Sequence, residues 1–193
     1  MIFLFKPGSQ TNMDTIEAIH ARRSIRSYEA RGVPRELIEA IIHDAAQAPV
    51  TPVSGAWMFH VVEGAAKISD YGARAKQYAK AHRPGEAGYG WVDREDFVVF
   101  LGAPAVIVIS APADNAQSIQ DCNRAGQNLM LSAHARGLGS CWVGSPMLWL
   151  RDEAAKALLG IPPHHAPFAA FTLGYASGVA SGVPREMPQI VWS

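Results

Sequence analysis

Apolar positions recur along this chain with two periods, and the elements they predict interleave. Leu37, Ile38, Ile41, Ile42, Ala45 and Ala46 share one side of a 3.6-residue winding. A helix therefore opens at Pro34, where the missing N–H is harmless in a first turn, and ends before Pro49. Upstream, Asp14 stands ahead of Glu17 in capping-box fashion, opening a helix through Ile16, Ile19 and His20. The strongest helical pattern follows Asp121. Ala125, Leu129, Ser132, Ala133 and Arg136 fall on or near one face, while Met130 and Leu131 make a second face apolar. A helix apolar on most sides belongs inside a domain. The small residues Ala125, Gly126, Ser132 and Ala133 let neighbouring backbones come close. Arg136 and Gly137 supply a cation for its last turn and a glycine for a left-handed cap; Asn115 or Asp114 is the expected cap at its start.

The strand signals differ in kind. Residues 105–110 form a continuous β-branched run, which predicts a strand covered on both faces. Residues 57–62, 140–144 and 166–175 read as further strands, the second buried and ending at Gly144-Ser145-Pro146, where a ligand can approach. A short helix is expected over 151–159, stopped by Gly160 and Pro162. Residues 65–96 are less regular: a cationic helix over 67–80 carries Tyr71 and Tyr78, and a glycine-rich segment holds Tyr89 and Trp91. This region suits a lid over a flat ligand and an ordinary surface loop equally well. The tail, 176–193, is rich in Gly, Ser and Pro yet ends in Ile190-Val191-Trp192, which suggests docking, with another subunit as a candidate host.

Composition narrows what such a chain can do. Its 193 residues suggest one domain, 13–193, preceded by a patternless extension, 1–12; Met13 could itself be a natural start. Lys and Arg number 17 against 17 Asp and Glu, so no overall field favours nucleic acid or an anionic membrane, and any bound anion must be held by local cations. No apolar run approaches the roughly 20 residues of a membrane span, and the short run at 2–5 is no signal peptide. Two cysteines, Cys122 and Cys141, in predicted buried elements read as core residues of a protein from a reducing compartment, the cytoplasm by default.

The candidate chemistry is sparse. Arg22, Arg23 and Arg26 gather beside the hydroxyl of Ser24. They suit either a solvated helix end, where cations oppose the dipole, or a clamp for phosphate, whose oxygens guanidinium groups match in bidentate geometry. Gly137-Leu138-Gly139 follows a helix and so is no dinucleotide fingerprint, and no phosphate-binding glycine loop or nucleophile elbow is present. His43-Asp44 and His164-His165 lack metal-ligand spacing, and no metal is expected. If the protein is an enzyme, a cofactor carries the reaction.

The motifs, taken in order, are Arg22-Arg23-Ser24-Ile25-Arg26, Val33-Pro34, Ala48-Pro49, Trp57, the run from Gly137 to Gly144 (Gly-Leu-Gly-Ser-Cys-Trp-Val-Gly), Leu159-Gly160-Ile161-Pro162, Leu173-Gly174-Tyr175 and Pro184-Arg185. In that order the chain resembles the FMN-dependent nitroreductase family from about Met13 to Val191. The resemblance implies an α+β, three-layer α/β/α fold with a mixed, mainly antiparallel sheet around a buried central helix. It implies a homodimer with FMN at the subunit interface, NAD(P)H as transient electron donor and a small-molecule acceptor, nitroaromatic or quinone. It assigns the phosphate and ribityl contacts to Arg22, Arg23, Ser24, Arg26 and Arg185, and lays Trp142, Val143, Gly144 and Ser145 along the flavin ring. Pro49, Val50, Thr51 and Val53 of the other subunit would cover the ring's opposite side. Apart from the resemblance, the aromatic residues of the lid region, Tyr71, Tyr78, Tyr89 and Trp91, are the candidate substrate contacts.

The chain departs from the family in that covering loop. Where the family usually reads Pro-Ser-x-x-Asn-x-Gln-Pro-Trp, residues 49–57 place Val50, Val53 and Gly55 at the serine, asparagine and glutamine positions. Each lost hydrogen bond to a flavin edge would cost about 0.5–1.5 kcal/mol. The change motivates alternatives to a plain reductase: a specialised flavin fragmentation, dehalogenation or azole oxidation, or a flavin-binding module without turnover.

Overall fold

A computed structural model describes residues 13–51, 57–178, 180, 182 and 185–193. The extension 1–12, and Val53, Gly55 and Pro184 among the residues named above, lie outside the described residues.

Among the described residues, six α-helices and four strands follow one another as α1 (Thr15–Ala21), α2 (Arg35–Ala45), β1 (Met58–Glu63), α3 (Ala65–His82), β2 (Ala105–Pro112), α4 (Ser118–Ala135), β3 (Gly139–Trp142), α5 (Met147–Leu150), α6 (Glu153–Leu159) and β4 (His165–Gly174), with a 3-10 turn at Gly90–Asp93. The sheet order is β1-β2-β4-β3, and these strands pair antiparallel throughout. Parallel pairing enters at an isolated bridge between Ser24 and Ser140.

Alternation along the two central strands generates the layers. Ala105, Ile107 and Ile109 of β2 and Ala169, Phe171 and Leu173 of β4 pack with Ile38, Ile41, Ala125 and Leu129 from α2 and α4. The intervening Val106, Val108 and Ala170 meet Ile68, Tyr71, Ala75, Trp149 and Leu150 on the other side. A strand with helices on both faces needs apolar side chains at every position, which is why β2 lacks polar alternation. Burying each large aliphatic side chain contributes about 1.5–3 kcal/mol.

The small residues of α4 act as expected. A Cβ placed on Gly126 would stand 2.3 Å from the Phe171 ring, so only glycine lets the helix sit this low on β4. Gly137 takes the left-handed conformation after α4 (φ 74°), and Asp14 caps α1 through the N–H groups of Ile16 and Glu17. Two local expectations need correcting. The N-cap of α4 is Gln117 without a side-chain bond, because Asn115 Oδ1 accepts from the Gln117 N–H in a turn of its own. The helix expected over 151–159 starts later, as α6, opened by Asp152 accepting from Ala154 N–H, and a separate helical turn, α5, precedes it. The cationic helix expected over 67–80 is α3, whose buried Ile68, Tyr71, Ala75 and Ala79 make it part of the outer helical layer.

Candidate functional site

The segment leaving α1 is sewn into the sheet edge on both sides. Ile25 N–H donates to Ser140 O (3.0 Å), and a Cβ on Gly139 would lie 2.7 Å from the Ile25 side chain. Further on, Glu29 N–H donates to Tyr175 O (2.9 Å) and Ser177 N–H to Ser27 O (3.0 Å), while the Ser27 and Ser177 hydroxyls meet at 2.5 Å. Tyr28 anchors the segment from beneath, its hydroxyl bonded to Ile25 O and to Thr172 Oγ1, both at 2.7 Å. Between these strips lies an open cavity of about 300 Å³ lined by Ser24, Ile25, Arg26, Ser27, Ser177, Gly178 and Ala180.

Cations gather beside it. Arg22 Nε and Nη1 are buried and make no hydrogen bond to the described residues. Burial, then the guanidinium of Arg185, then that of Arg23, pull the Arg22 pKa below the ordinary arginine value. Arg23 is held by the carbonyls of His20 (2.6 Å) and Arg22 (2.9 Å), with Gly182 of the tail packed against it. Arg26 reaches back to Ser24 O at 3.4 Å. His134, near the end of α4, joins this group: its Nε2 is buried without a partner among the described residues, and burial, Arg22 and Arg23 hold its pKa down against the pull of Glu17. Like charges repel, and guanidine nitrogens buried without partners are costly; an anion with several oxygens relieves both.

The Cys141 thiol lies beneath, 3% exposed. Its pKa is raised by burial, opposed by Arg26, a hydrogen bond with Ser24, and Arg22. A buried thiol of this kind is a packing residue rather than a nucleophile.

The structure places the other expected site residues less uniformly. Trp142 is 40% exposed and tilts over Phe171 with ring centroids 5.3 Å apart. Val143 turns its side chain into the core and spends its N–H on Ala170 O, so it can offer a ligand only backbone. A Cβ on Gly144 would meet nothing within 4 Å, which leaves space for a planar group against the chain, with Ser145 next to it half-buried. Tyr71 is 7% exposed and packs on Trp149 at 5.5 Å, so it is a core residue and not a substrate contact. Tyr78 stacks on His82 (3.9 Å), Tyr89 tilts on Trp91 and Trp91 on Phe97. None of these four aromatic residues lines the cavity beside Arg26.

Pro49, Val50 and Thr51 sit elsewhere again. Thr51 is tied to Asp121 in the first turn of α4, by its N–H (3.3 Å) and its hydroxyl (3.4 Å). Asp121 and His134 stand near opposite ends of α4, about 20 Å apart at roughly 1.5 Å per residue. Within one chain the loop and the arginines are therefore held apart by the length of this helix. Asp121, His134, Gly182 and Tyr28 join these contacts without belonging to any motif; an acid in an otherwise small-residue helix was the available signal for Asp121.

A sequence model of the nitroreductase family matches residues 19–175. The chain belongs to that family. A protein of Methanothermobacter thermautotrophicus described as a putative NADH dehydrogenase/NAD(P)H nitroreductase is 33% identical over 87% of this chain and 80% of its own length. The nitroreductase of Bacteroides fragilis, solved with bound FMN, superposes with a TM-score of 0.83 at 25% identity, covering 93% of this chain and 98% of that one. A nitroreductase of Desulfitobacterium hafniense, also with bound FMN, gives 0.76 at 26% identity, covering 91% and 94%. Among the described residues of this family member no helix is long and apolar enough to cross a membrane, and no metal-binding group of His, Cys, Asp and Glu is gathered.

Proposed function

We propose that this nitroreductase-family protein is an FMN-dependent oxidoreductase that takes electrons from NAD(P)H and passes them, by a ping-pong sequence, to a small aromatic, nitro or quinone acceptor. The residues fit the group. Arg22, whose buried Nε and Nη1 lack partners, would bind the phosphate together with Arg185 and Arg23. Ser24 and Arg26 would border the ribityl chain and the pyrimidine edge, with Arg26 favouring negative charge there. The chain at Trp142, Gly144 and Ser145 would form a wall for the ring, with Gly144 permitting contact along the backbone. When bound, FMN supplies the hydride acceptor and donor at N5. Among the described residues no side chain lining the cavity is a strong general acid, so protons would come from water.

The single observation that carries this reading is the convergence on Arg22 of cations from opposite ends of the chain. A second supports the dimer. The loop at 49–51 lies a helix length from the arginines, which favours its covering a ring in a second copy of the chain. We place the protein in the cytoplasm, in keeping with two free, buried cysteines.

The test is optical and anaerobic. Purified protein should be yellow and release FMN, and NADH or NADPH should bleach the flavin absorbance, which nitrobenzoate or a quinone then restores. Flavin that neither nucleotide reduces would leave a binding module without turnover.

A further inference from the structure

Resting on the flavin reading above, we propose that Asp121 is a positioning residue for the ring-covering loop: it holds Thr51 from behind and thereby sets Val50 against the flavin of the neighbouring subunit.

Asp121 is 2% exposed, in the first turn of α4, where the helix dipole favours an anion. Its Oδ2 accepts from the Thr51 N–H (3.3 Å), and its Oδ1 from the Thr51 hydroxyl (3.4 Å) and from Arg124 Nη1 (2.5 Å). A carboxylate so enclosed is tolerable only with such partners. Arg124 balances its charge from the same helix, and the contacts to Thr51 tie the loop to α4. The adjacent Val50 remains 52% exposed. Consecutive residues thus divide the work, Thr51 tied inward and Val50 presented outward.

The arrangement compensates for what this chain's loop lacks. With Val50 at the position where the resemblance leads one to expect serine, the loop cannot orient itself by a side-chain hydrogen bond from there to the ring edge. An apolar contact is short-ranged: a gap of 0.5–1 Å already forfeits a quarter to a half of the dispersion attraction. Such a loop works only if something behind it fixes its distance, and Asp121 is placed to do that.

The experiment uses full-length Asp121→Asn, Thr51→Val and the double variant, with FMN and riboflavin titrated by flavin fluorescence and the melting temperature of flavin-free protein measured alongside. Each single variant should weaken FMN and riboflavin by the same factor, about 2- to 10-fold, since the loop meets the ring and not the phosphate. The double variant should be no weaker than Asp121→Asn. Arg22→Ala is the opposing control, weakening FMN but not riboflavin. A purely structural Asp121 would lower the melting temperature with flavin affinities unchanged, or give additive effects; either result overturns the proposal. If Asp121→Asn does not fold, Thr51→Val alone decides, and unchanged riboflavin affinity sinks the idea. Wild-type protein that binds neither flavin overturns the flavin reading itself, a failure distinct from variants that bind as well as wild type.

Discussion

Gly182 packs so closely on Arg23 that a Cβ added to it would stand 2.6 Å from the guanidine Nε. The tail thus touches the arginine segment by backbone, and the contact is with a side chain able to swing away. Gly182→Ala should displace Arg23 at little cost to folding. The expected result is FMN affinity reduced several-fold with a melting temperature close to wild type, compared by fluorescence titration and calorimetry. A large fall in melting temperature with normal affinity would contradict this role.

Arg22 and Arg185 should behave as phosphate ligands that repel one another when no anion is present. Arg22→Ala and Arg185→Ala are each expected to weaken FMN by about 1.5–3 kcal/mol, the range for hydrogen bonds to charged groups. Riboflavin affinity should hardly change. The flavin-free Arg22→Ala protein should be no less stable than wild type, because the substitution removes two buried atoms without partners. Parallel titrations with FMN and riboflavin check the first point, and melting of the flavin-free proteins the second.

Gly126→Ala tests the seat of the central helix. The new Cβ would fall 2.3 Å from the Phe171 ring, and that ring is fully buried between α4 and the sheet. Overpacking of this kind typically costs about 1–3 kcal/mol, and here the lower figure requires Phe171 to tilt toward Trp142. Urea denaturation should show a lower midpoint at unchanged slope.

A buried chain of polar groups makes stability depend on pH. His60 Nδ1 faces Leu159 O (3.1 Å), which can only accept, so that nitrogen carries the proton. His60 Nε2 then accepts from the Ser110 hydroxyl (2.8 Å), whose oxygen in turn accepts from His165 Nδ1 (3.2 Å). Burial first, and for His60 also its neighbour His165, lowers both histidine pKa values from the ordinary 6.5; only the Leu159 carbonyl pulls the other way on His60. Between the ordinary value and the lower folded values, the unfolded chain binds more protons than the folded one. Stability should therefore fall as pH drops below about 6.5, at up to about 1.4 kcal/mol per pH unit for each extra proton. His60→Gln should flatten that slope, and the check is urea denaturation of both proteins at several pH values between 5 and 8.

Much of the architecture was legible because the signals that specify it are local. The 3.6-residue spacing from Leu37 to Ala45 locates α2, the unbroken apolar run locates β2, and Gly137 marks the end of α4. These follow from which face of one element needs burial and which φ a turn demands. The clustered arginines and the Gly-Leu-Gly-Ser-Cys-Trp-Val-Gly run carried the family resemblance in the same way, as short strings readable without coordinates.

What packing alone decided is which of those strings meet. Tyr71 looks like any aromatic on a cationic helix until β2 and Trp149 are seen to enclose it. Asp121 becomes a partner of Thr51, and Arg185 a neighbour of Arg22, only once the elements between them have stacked. Periodicity records how one segment relates to its own axis; the meeting of distant side chains depends on how several axes cross, and that is set by the volumes of residues such as Gly126 and Phe171 in the core.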